Sequence, residues 1–248
     1  MRKVGIIGGL GPASTPEYYL GIINGYRAKT GDDNYPEIII NSVNMTEVLS
    51  YVSRKKWDAL VDVLVDAING AAYAGAEFAA IASNTPHIVF DRVREEAVLP
   101  LISIVEETCK AAQARGCKRA VLLGTRFVMG NDFYREALQE HGITAIVPTA
   151  EEQAVIHNLI FPKLEEGIVV PEDKEQMLAL VTRLVEEHDA DAVILGCTEL
   201  PLMIKGGDLD FGRGQGLDRS QDLSPDLGSG IQVLNTTQIH IDAIVDAI

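Results

Sequence analysis

Short apolar runs alternate along the chain with longer stretches in which apolar residues recur at helical spacing. The apolar runs predict strands at residues 3–9, 37–43, 78–83, 99–105, 119–125, 144–148 and 191–197, and the intervening periodic stretches predict helices at about 14–29, 56–74, 105–115, 131–140, 151–166 and 173–187. The predicted strands lack polar alternation, which is typical of strands covered on both faces. Strands of this kind separated by helices predict an α/β fold with parallel sheets.

The two halves of the chain resemble each other. KVGIIGGLGP pairs with KRAVLLGTRF, and AEFAAIASNTPH pairs with ADAVILGCTELP at a nearly equal separation. We therefore predict two similar α/β domains, with residues 1–100 and 231–248 in the first and residues 101–205 in the second. The segment 206–230 is rich in Gly, Asp and Ser and is predicted to be a flexible insertion, with a lid as the alternative. A ligand is expected between the carboxyl ends of the two sheets.

The charge balance restricts the choice of partners. The chain carries 36 Asp and Glu against 21 Lys and Arg, a formal net charge of -15. Such a field repels phosphate backbones, so nucleic acid and anionic membranes are poor partners, whereas a small acid in a locally positive pocket remains possible. Three cysteines are too few for a disulfide scaffold, and Cys109 and Cys117 are predicted to be buried thiols. The short apolar N-terminal stretch and the lack of a long apolar span favour a cytoplasmic location.

The loop GGLGPAST (8–15) follows a predicted strand and opens a predicted helix. Glycines in such a loop let backbone N–H groups turn toward an anion. The loop lacks the third glycine of a dinucleotide fingerprint and the Gly-Lys-Ser/Thr of a Walker loop. It is therefore predicted to bind a carboxylate, with a tight turn that binds nothing as the alternative.

Short polar residues stand at the ends of several predicted strands. Asn84 and Thr85 follow the third strand, Thr125 follows a strand of the second half, and Thr198 follows the last strand before the insertion. Each alone is an ordinary cap or turn residue. At mirrored positions of a repeat they predict a site that binds a carboxylate.

Cys197 ends an apolar strand just before TELP, at the carboxyl edge of the predicted sheet. Neighbouring amides and a helix N-terminus are expected to lower its pKa toward neutrality and to make it a thiolate base or nucleophile. An ordinary small residue at a strand end is the alternative. Glu199 and His87 are candidates to tune the thiol, and no cysteine-protease signature surrounds it.

Seven blocks resemble, in order and spacing, the cofactor-independent aspartate/glutamate racemases. The blocks are GIIGGLGPASTPEYY, NSVNMTEV, ASNTPH, LLGTRFVMGNDFY, IHNLIFPKLEEG, VILGCTELPL and NTTQIHIDAI. The resemblance implies two pseudo-symmetric flavodoxin-like domains with parallel sheets and an active site in the cleft between them. It also implies no metal and no pyridoxal phosphate, so no cofactor is expected, and it implies a homodimer.

The family mechanism uses two cysteines on opposite faces of the substrate α-carbon, one removing a proton and the other delivering one. Cys197 matches the second cysteine. The first falls on Ala82 or, by the related glutamate racemase pattern, on Ser83, and neither is a thiol. Ser83 is a weaker acid that needs an adjacent base. Four explanations stay open: Ser83 or a water replaces the thiol, the protein is a one-sided decarboxylase or isomerase, it binds an amino acid without turning it over, or a cysteine has been replaced by alanine.

The resemblance also carries over a substrate pocket. The residues implied to hold the α-carboxylate and ammonium groups are Leu10, Gly11, Asn84, Thr85, Thr125, Thr198 and Glu199. Lys163 is implied to reach the side-chain carboxylate, and Arg54 is a weaker candidate. The sequence therefore predicts an amino-acid racemase of the aspartate/glutamate type that acts on a small amino or dicarboxylic acid, with Cys197 and Ser83 as catalytic residues.

Overall fold

The strands of the protein pair in parallel throughout the part of the chain that the structure describes. The structure is a computed structural model, and it describes residues 1–209 and 231–248. The chain divides into a first unit, Met1–Lys110 with Thr236–Ile248, and a second unit, Ala111–Asn235. Each unit contains one four-stranded parallel sheet with helices, so the predicted α/β fold of two flavodoxin-like domains is confirmed.

The sheet of the first unit has the strand order β2-β1-β3-β4. Its elements are β1 (Val4–Gly8), α1 (Ser14–Thr30), β2 (Ile38–Ser42), α2 (Met45–Ser53), α3 (Trp57–Tyr73), β3 (Phe78–Ile81), a 3-10 helix (Thr85–Val89), α4 (Phe90–Glu96), β4 (Leu101–Ile102) and α5 (Ile104–Ala114), which crosses the unit boundary. The central strands β1 and β3 are buried along their whole length, because both faces of the sheet are covered.

The last helix, α11 (Thr236–Ala247), belongs to the first unit and packs against α1. Gly21 permits this close approach, since a Cβ there would lie 2.7 Å from Ile241 Cδ1. The Tyr18 hydroxyl and His240 Nδ1 form a buried hydrogen bond of 2.9 Å between the same two helices. These contacts fix the start of α11 near the edge of the first sheet.

The sheet of the second unit has the order β6-β5-β7-β8, which repeats the topology of the first. Its elements are β5 (Arg119–Gly124), α6 (Arg126–Gly130), α7 (Phe133–Glu140), β6 (Thr144–Ile146), α8 (Ala150–Ile160), a 3-10 turn (Leu164–Glu166), α9 (Pro171–Glu187), β7 (Ala192–Gly196), α10 (Leu200–Met203), a 3-10 turn (Gly206–Leu209) and β8 (Gln232–Asn235). β7 is buried at every position and pairs with β5 and β8.

The C-terminal segment differs from its prediction. Its strand and its helix were both predicted to belong to the first domain, but β8 pairs in parallel with β7 of the second sheet, with Val193 opposite Val233. Only α11 lies in the first unit, so the chain crosses between the units at Asn235 and Thr236. A four-residue strand can pair with either sheet, and its own pattern does not select one.

Two further segments depart from the expected pattern. Residues 45–53, for which no element was predicted, form α2. This helix begins after Asn44, whose Oδ1 accepts a 3.0 Å hydrogen bond from Thr46 N. The predicted insertion 206–230 falls almost wholly outside the described residues, and only Gly206–Leu209 is seen, as a 3-10 turn. Among the described residues, no helix is both long and apolar enough to cross a membrane.

Candidate active site

Cys197 lies where β7 ends and the chain turns into α10. The turn begins at Gly196, where an added Cβ would lie 2.7 Å from Leu123 O, so only glycine fits against the neighbouring strand. Pro201 stands in the first turn of α10, where its missing N–H costs nothing. The Cys197 side chain is 5% exposed and is therefore withdrawn from bulk water.

A carboxyl group lies directly beside this thiol. Cys197 Sγ donates a hydrogen bond to Glu199 Oε2 at 3.1 Å, and Thr198 Oγ1 donates to the same oxygen at 2.8 Å. Glu199 is 3% exposed, and its other oxygen, Oε1, is buried with no hydrogen-bond partner among the described residues. The structure thus brings Cys197, Thr198 and Glu199 together, and the Cys197 thiol and the Glu199 carboxyl group lie close enough for proton transfer.

Glu165 is a member of this cluster that was not predicted from the sequence. It lies on the 3-10 turn Leu164–Glu166, and its carboxylate, Cys197 Sγ and the Glu199 carboxylate all lie within 4.8 Å of one another. Burial, and then the charge of Glu199, raise the pKa of Glu165 to about 7. The block FPKLEEG had drawn attention to this turn, but only for its lysine.

Burial raises the pKa of the Cys197 thiol well above its usual value, and the negative charge of Glu199 raises it further. The expectation that amides and a helix N-terminus would lower this pKa toward neutrality is therefore wrong. The physical reason is that α10 has only four residues and supplies little dipole, while the thiol has lost its water. The thiolate, once formed, is correspondingly a strong base.

The same three side chains are of the types that bind metal ions. Glu165, Cys197 and Glu199 offer two carboxylates and a thiol with their ligand atoms within 4.8 Å of one another. Zinc accepts thiolate sulfur and carboxylate oxygen atoms as ligands. A cation here would require Glu165 and Cys197 to lose their protons, which their raised pKa values oppose at neutral pH.

The other two predicted residues of the second unit have structural partners. Lys163 Nζ forms a 2.8 Å ion pair with Asp173 Oδ2, and its side chain is half exposed. Thr125 caps α6, its Oγ1 accepting a hydrogen bond from Val128 N at 3.3 Å. Lys163 can therefore meet a substrate carboxylate only in competition with Asp173.

The loop after β1, which was predicted to bind a carboxylate, forms a tight glycine turn. Gly9 has a φ of 77°, and an added Cβ would lie 2.3 Å from Val43 O, so no other residue fits. Its N–H donates to Thr15 Oγ1 at 2.9 Å, and Gly11 O accepts from Ser14 Oγ at 2.9 Å. The Gly9 N–H is thus already used within the turn, and Leu10 is buried between the two glycines.

The residues after β3 lie at the same edge of the first sheet. Ala82 is 1% exposed and packs in the core cluster of the first unit, whereas Ser83 is buried at 8% exposure. Asn84 is buried and its Nδ2 donates to Thr236 Oγ1 at 3.3 Å, while Thr85 begins the 3-10 helix and is partly buried. Of the two positions that the family resemblance offers for the first cysteine, Ala82 supplies no acid–base group and Ser83 supplies a hydroxyl.

Two threonines at the start of α11 join this edge and were not predicted individually. Thr236 accepts the Asn84 hydrogen bond, and Thr237 is 4% exposed with a buried Oγ1 that lacks a hydrogen-bond partner within residues 1–209 and 231–248. They belong to the block NTTQIHIDAI, so their position in a family motif was the available signal.

His87 is held by the backbone of this edge. Its Nδ1 lies 2.9 Å from Ser83 O, to which it donates, and its ring stacks on Phe90 at 4.6 Å. Burial, and then His240, lower the pKa of His87 to about 3. His87 is therefore neutral at physiological pH and does not act there as a positive charge.

Fold and site together define an α/β protein with two parallel sheets and a buried cluster of one thiol and two carboxyl groups. The chain belongs to the Asp/Glu/hydantoin racemase family, whose sequence model matches residues 7–244. The resemblance to the aspartate/glutamate racemases is thus confirmed, and the family supports a racemase-type function.

Individual relatives agree with this assignment. The chain is 29% identical over 203 residues to the broad-specificity amino-acid racemase RacX of Bacillus subtilis, covering 79% of this chain and 85% of that protein. It is 28% identical to a glutamate racemase from Nitratiruptor, of which it spans about half, covering 58% of this chain and 49% of that protein. In structure it is similar to an aspartate racemase homologue from Pyrococcus horikoshii, with a TM-score of 0.81, 35% identity, and coverage of 100% of this chain and 99% of that one.

Proposed function

We propose that this protein is a cofactor-independent amino-acid racemase of the aspartate/glutamate type. The observation that carries the proposal is the 3.1 Å hydrogen bond from Cys197 Sγ to Glu199 Oε2 at the carboxyl end of β7. Glu199 accepts the thiol proton, and the resulting thiolate removes the α-proton of the substrate to leave a carbanion. Ser83 or a water then protonates the opposite face of the carbanion, which gives the other enantiomer. In the reverse direction that group removes the α-proton and the Cys197 thiol delivers one.

The burial of Cys197 suits this chemistry. An α-proton of an amino acid is weakly acidic, so its removal needs a base stronger than an exposed thiolate. Burial raises the pKa of the Cys197 thiol and so makes its thiolate more basic, at the expense of the fraction present as thiolate. The adjacent Glu199 compensates by accepting the proton within the cluster.

Ser83 is the candidate for the group that serves the other face of the α-carbon, with water as its alternative. A hydroxyl is a weaker acid than a thiol, so we expect slower racemisation than a pair of cysteines would give. The alanine at position 82 also supports a second candidate function, a one-sided decarboxylase or isomerase that uses Cys197 alone. A protein that binds an amino acid without turnover is the remaining alternative.

The proposed substrate is a small amino or dicarboxylic acid. Short polar groups and turned backbone suit a carboxylate and an ammonium group, and Lys163 would leave Asp173 to pair with a side-chain carboxylate. The residues proposed to bind substrate are Leu10, Gly11, Asn84, Thr85, Thr125, Lys163, Thr198 and Glu199. The homodimer and the cytoplasmic location stay predictions, and light scattering after size-exclusion chromatography tests the first.

Chiral chromatography tests the proposed function. Each enantiomer of aspartate and glutamate is incubated with the protein, with Cys197→Ser and with Cys117→Ser, which alters a buried thiol outside the cluster. We expect both enantiomers of at least one acid to interconvert with the protein and with Cys117→Ser, and not with Cys197→Ser. Binding without interconversion would contradict the racemase, and release of carbon dioxide from a malonate would favour the decarboxylase.

A further inference from the structure

The Glu165 carboxyl group is held beside Cys197 by a well-anchored turn. Leu164 is fully buried in the core of the second unit, and Gly167 ends the turn with a φ of 78°. The turn contacts α8 and α10, so its position is set by the same elements that set the end of β7. The packing of the turn thus places the backbone of Glu165 where its carboxyl group reaches the thiol.

Two carboxyl groups and a thiol in one buried cluster are unfavourable if all three are ionised. Glu199 Oε2 already accepts two hydrogen bonds, whereas its buried Oε1 accepts none from the described residues. A protonated Glu165 is a donor of the kind that this oxygen lacks, and the two carboxyl groups lie within 4.8 Å of each other. Carboxyl pairs at such separations retain one proton at a pH where isolated ones would not.

We propose that Glu165 is a positioning residue that holds a proton beside the Glu199 carboxylate and thereby allows Cys197 to form its thiolate. When Cys197 Sγ passes its proton to Glu199 Oε2, the negative charge moves from Glu199 to sulfur and Glu165 stays neutral. If Glu165 has lost its proton to solvent, the thiolate forms beside a second negative charge and is disfavoured. The consequence for catalysis rests on the proposed racemase function, but the effect on the thiol does not.

Other charged groups near the turn have partners of their own or are neutral. On α8, Glu152 pairs with Arg183, and burial lowers the pKa of His157. On the turn itself, Lys163 pairs with Asp173. The residues of α10 and β7 carry no titratable side chain, so Glu199 at the start of α10 is the group whose charge acts on Glu165.

The pH dependence of Cys197 alkylation tests this role without any substrate. Iodoacetamide labelling of the Cys197 peptide is followed by mass spectrometry at pH 5.5 and pH 8.5 in the unchanged protein, in Glu165→Gln and in Glu166→Gln. Glu166 is an exposed carboxyl on the same turn and is the matched control. For each protein the labelling rate at pH 8.5 is compared with its own rate at pH 5.5, which cancels differences in how easily the reagent reaches the buried sulfur.

We expect Glu165→Gln to label at the rate of the unchanged protein at pH 5.5, where both side chains are neutral. At pH 8.5 it should label about tenfold faster, the effect of lowering the thiol pKa by about one. Glu166→Gln should label at the rate of the unchanged protein at both pH values. A Glu165→Gln rate that differs from the unchanged protein by the same factor at both pH values would indicate a merely structural role and overturn the proposal.

A second measurement tests the protonation of Glu165 directly and does not require iodoacetamide to reach Cys197. Carbon-13 NMR of glutamate carboxyl groups assigns Glu165 as the resonance lost in Glu165→Gln. We expect its titration midpoint near pH 7, and a midpoint below pH 5 would overturn the proposal. Failure of the chiral assay would sink the racemase function and leave both of these results unchanged.

Discussion

Replacing Glu165 with glutamine should make the stability of the protein less dependent on pH. Burial, and then Glu199, raise the pKa of this carboxyl group from its ordinary 4.5 to about 7 in the folded protein. A carboxyl whose pKa is raised by folding contributes stability that is complete below pH 4.5 and lost as the pH rises through 7. Glutamine is neutral throughout and loses nothing over this range.

The magnitude follows from the two pKa values. A difference of about 2.5 at about 1.36 kcal/mol for each pH unit gives an upper limit of about 3.4 kcal/mol. Glu165 is only partly buried, so water screens part of this effect. We therefore expect the unchanged protein to lose about 1–2 kcal/mol relative to Glu165→Gln between pH 5 and pH 8.5.

Urea unfolding followed by circular dichroism at the two pH values measures this loss. The single tryptophan, Trp57, lies in the first unit, so its fluorescence does not report directly on the unit that holds Glu165. Glu166→Gln, on the same turn but exposed, should behave like the unchanged protein. Equal stability differences between Glu165→Gln and the unchanged protein at pH 5 and pH 8.5 would refute the reasoning.

Three further substitutions test separate parts of the structure. Tyr18→Phe removes the buried 2.9 Å hydrogen bond to His240 and should cost about 1–2 kcal/mol in urea unfolding, whereas the exposed Tyr19→Phe should cost nothing measurable. Thr149→Ala removes the capping box of α8 and should cost about 1 kcal/mol in the same assay, and an unchanged midpoint would contradict the cap. Ser83→Cys should raise the racemisation rate by about 100-fold, because a thiol is a stronger acid than a hydroxyl. The exchange of Ala82 for cysteine should instead lower stability by about 1–3 kcal/mol, because Ala82 is packed in the core. A folded Ser83→Cys variant with an unchanged rate would contradict the role proposed for Ser83.

The elements of the sheets could be predicted because their signal is local. The run 78–83 gave β3 at Phe78–Ile81, and the periodic stretch 56–74 gave α3 at Trp57–Tyr73. The partner of β8 could not be predicted in this way. Parallel pairing joins segments far apart in the chain, and a strand of four residues carries no information about which sheet edge it will meet.

The candidate site was predictable only where its residues stand at strand ends. Cys197, Thr198 and Glu199 follow β7 directly, so the pattern that located the strand also located them. Glu165 lies more than thirty residues away, and in FPKLEEG it looks like a solvated acid. It joins the cluster because Leu164 anchors its turn in the core, which is a fact of tertiary packing.

The direction of the Cys197 pKa shift could not be predicted from the sequence either. The sequence places a helix N-terminus after the cysteine, which by itself lowers a thiol pKa. The structure gives that helix four residues and leaves the thiol 5% exposed beside a carboxylate. Desolvation and like charge then outweigh the dipole, and neither could be weighed before the fold was known.

The central claim is that Cys197 transfers a proton to and from the α-carbon of an amino acid. Proton NMR of L-aspartate and of D-aspartate in D2O, with the protein and with Cys197→Ser, tests it most directly. The account predicts that α-deuterium enters both enantiomers with inversion, and that Cys197→Ser abolishes this exchange. Exchange that survives unchanged in Cys197→Ser, or no exchange of either enantiomer although binding is intact, would contradict it.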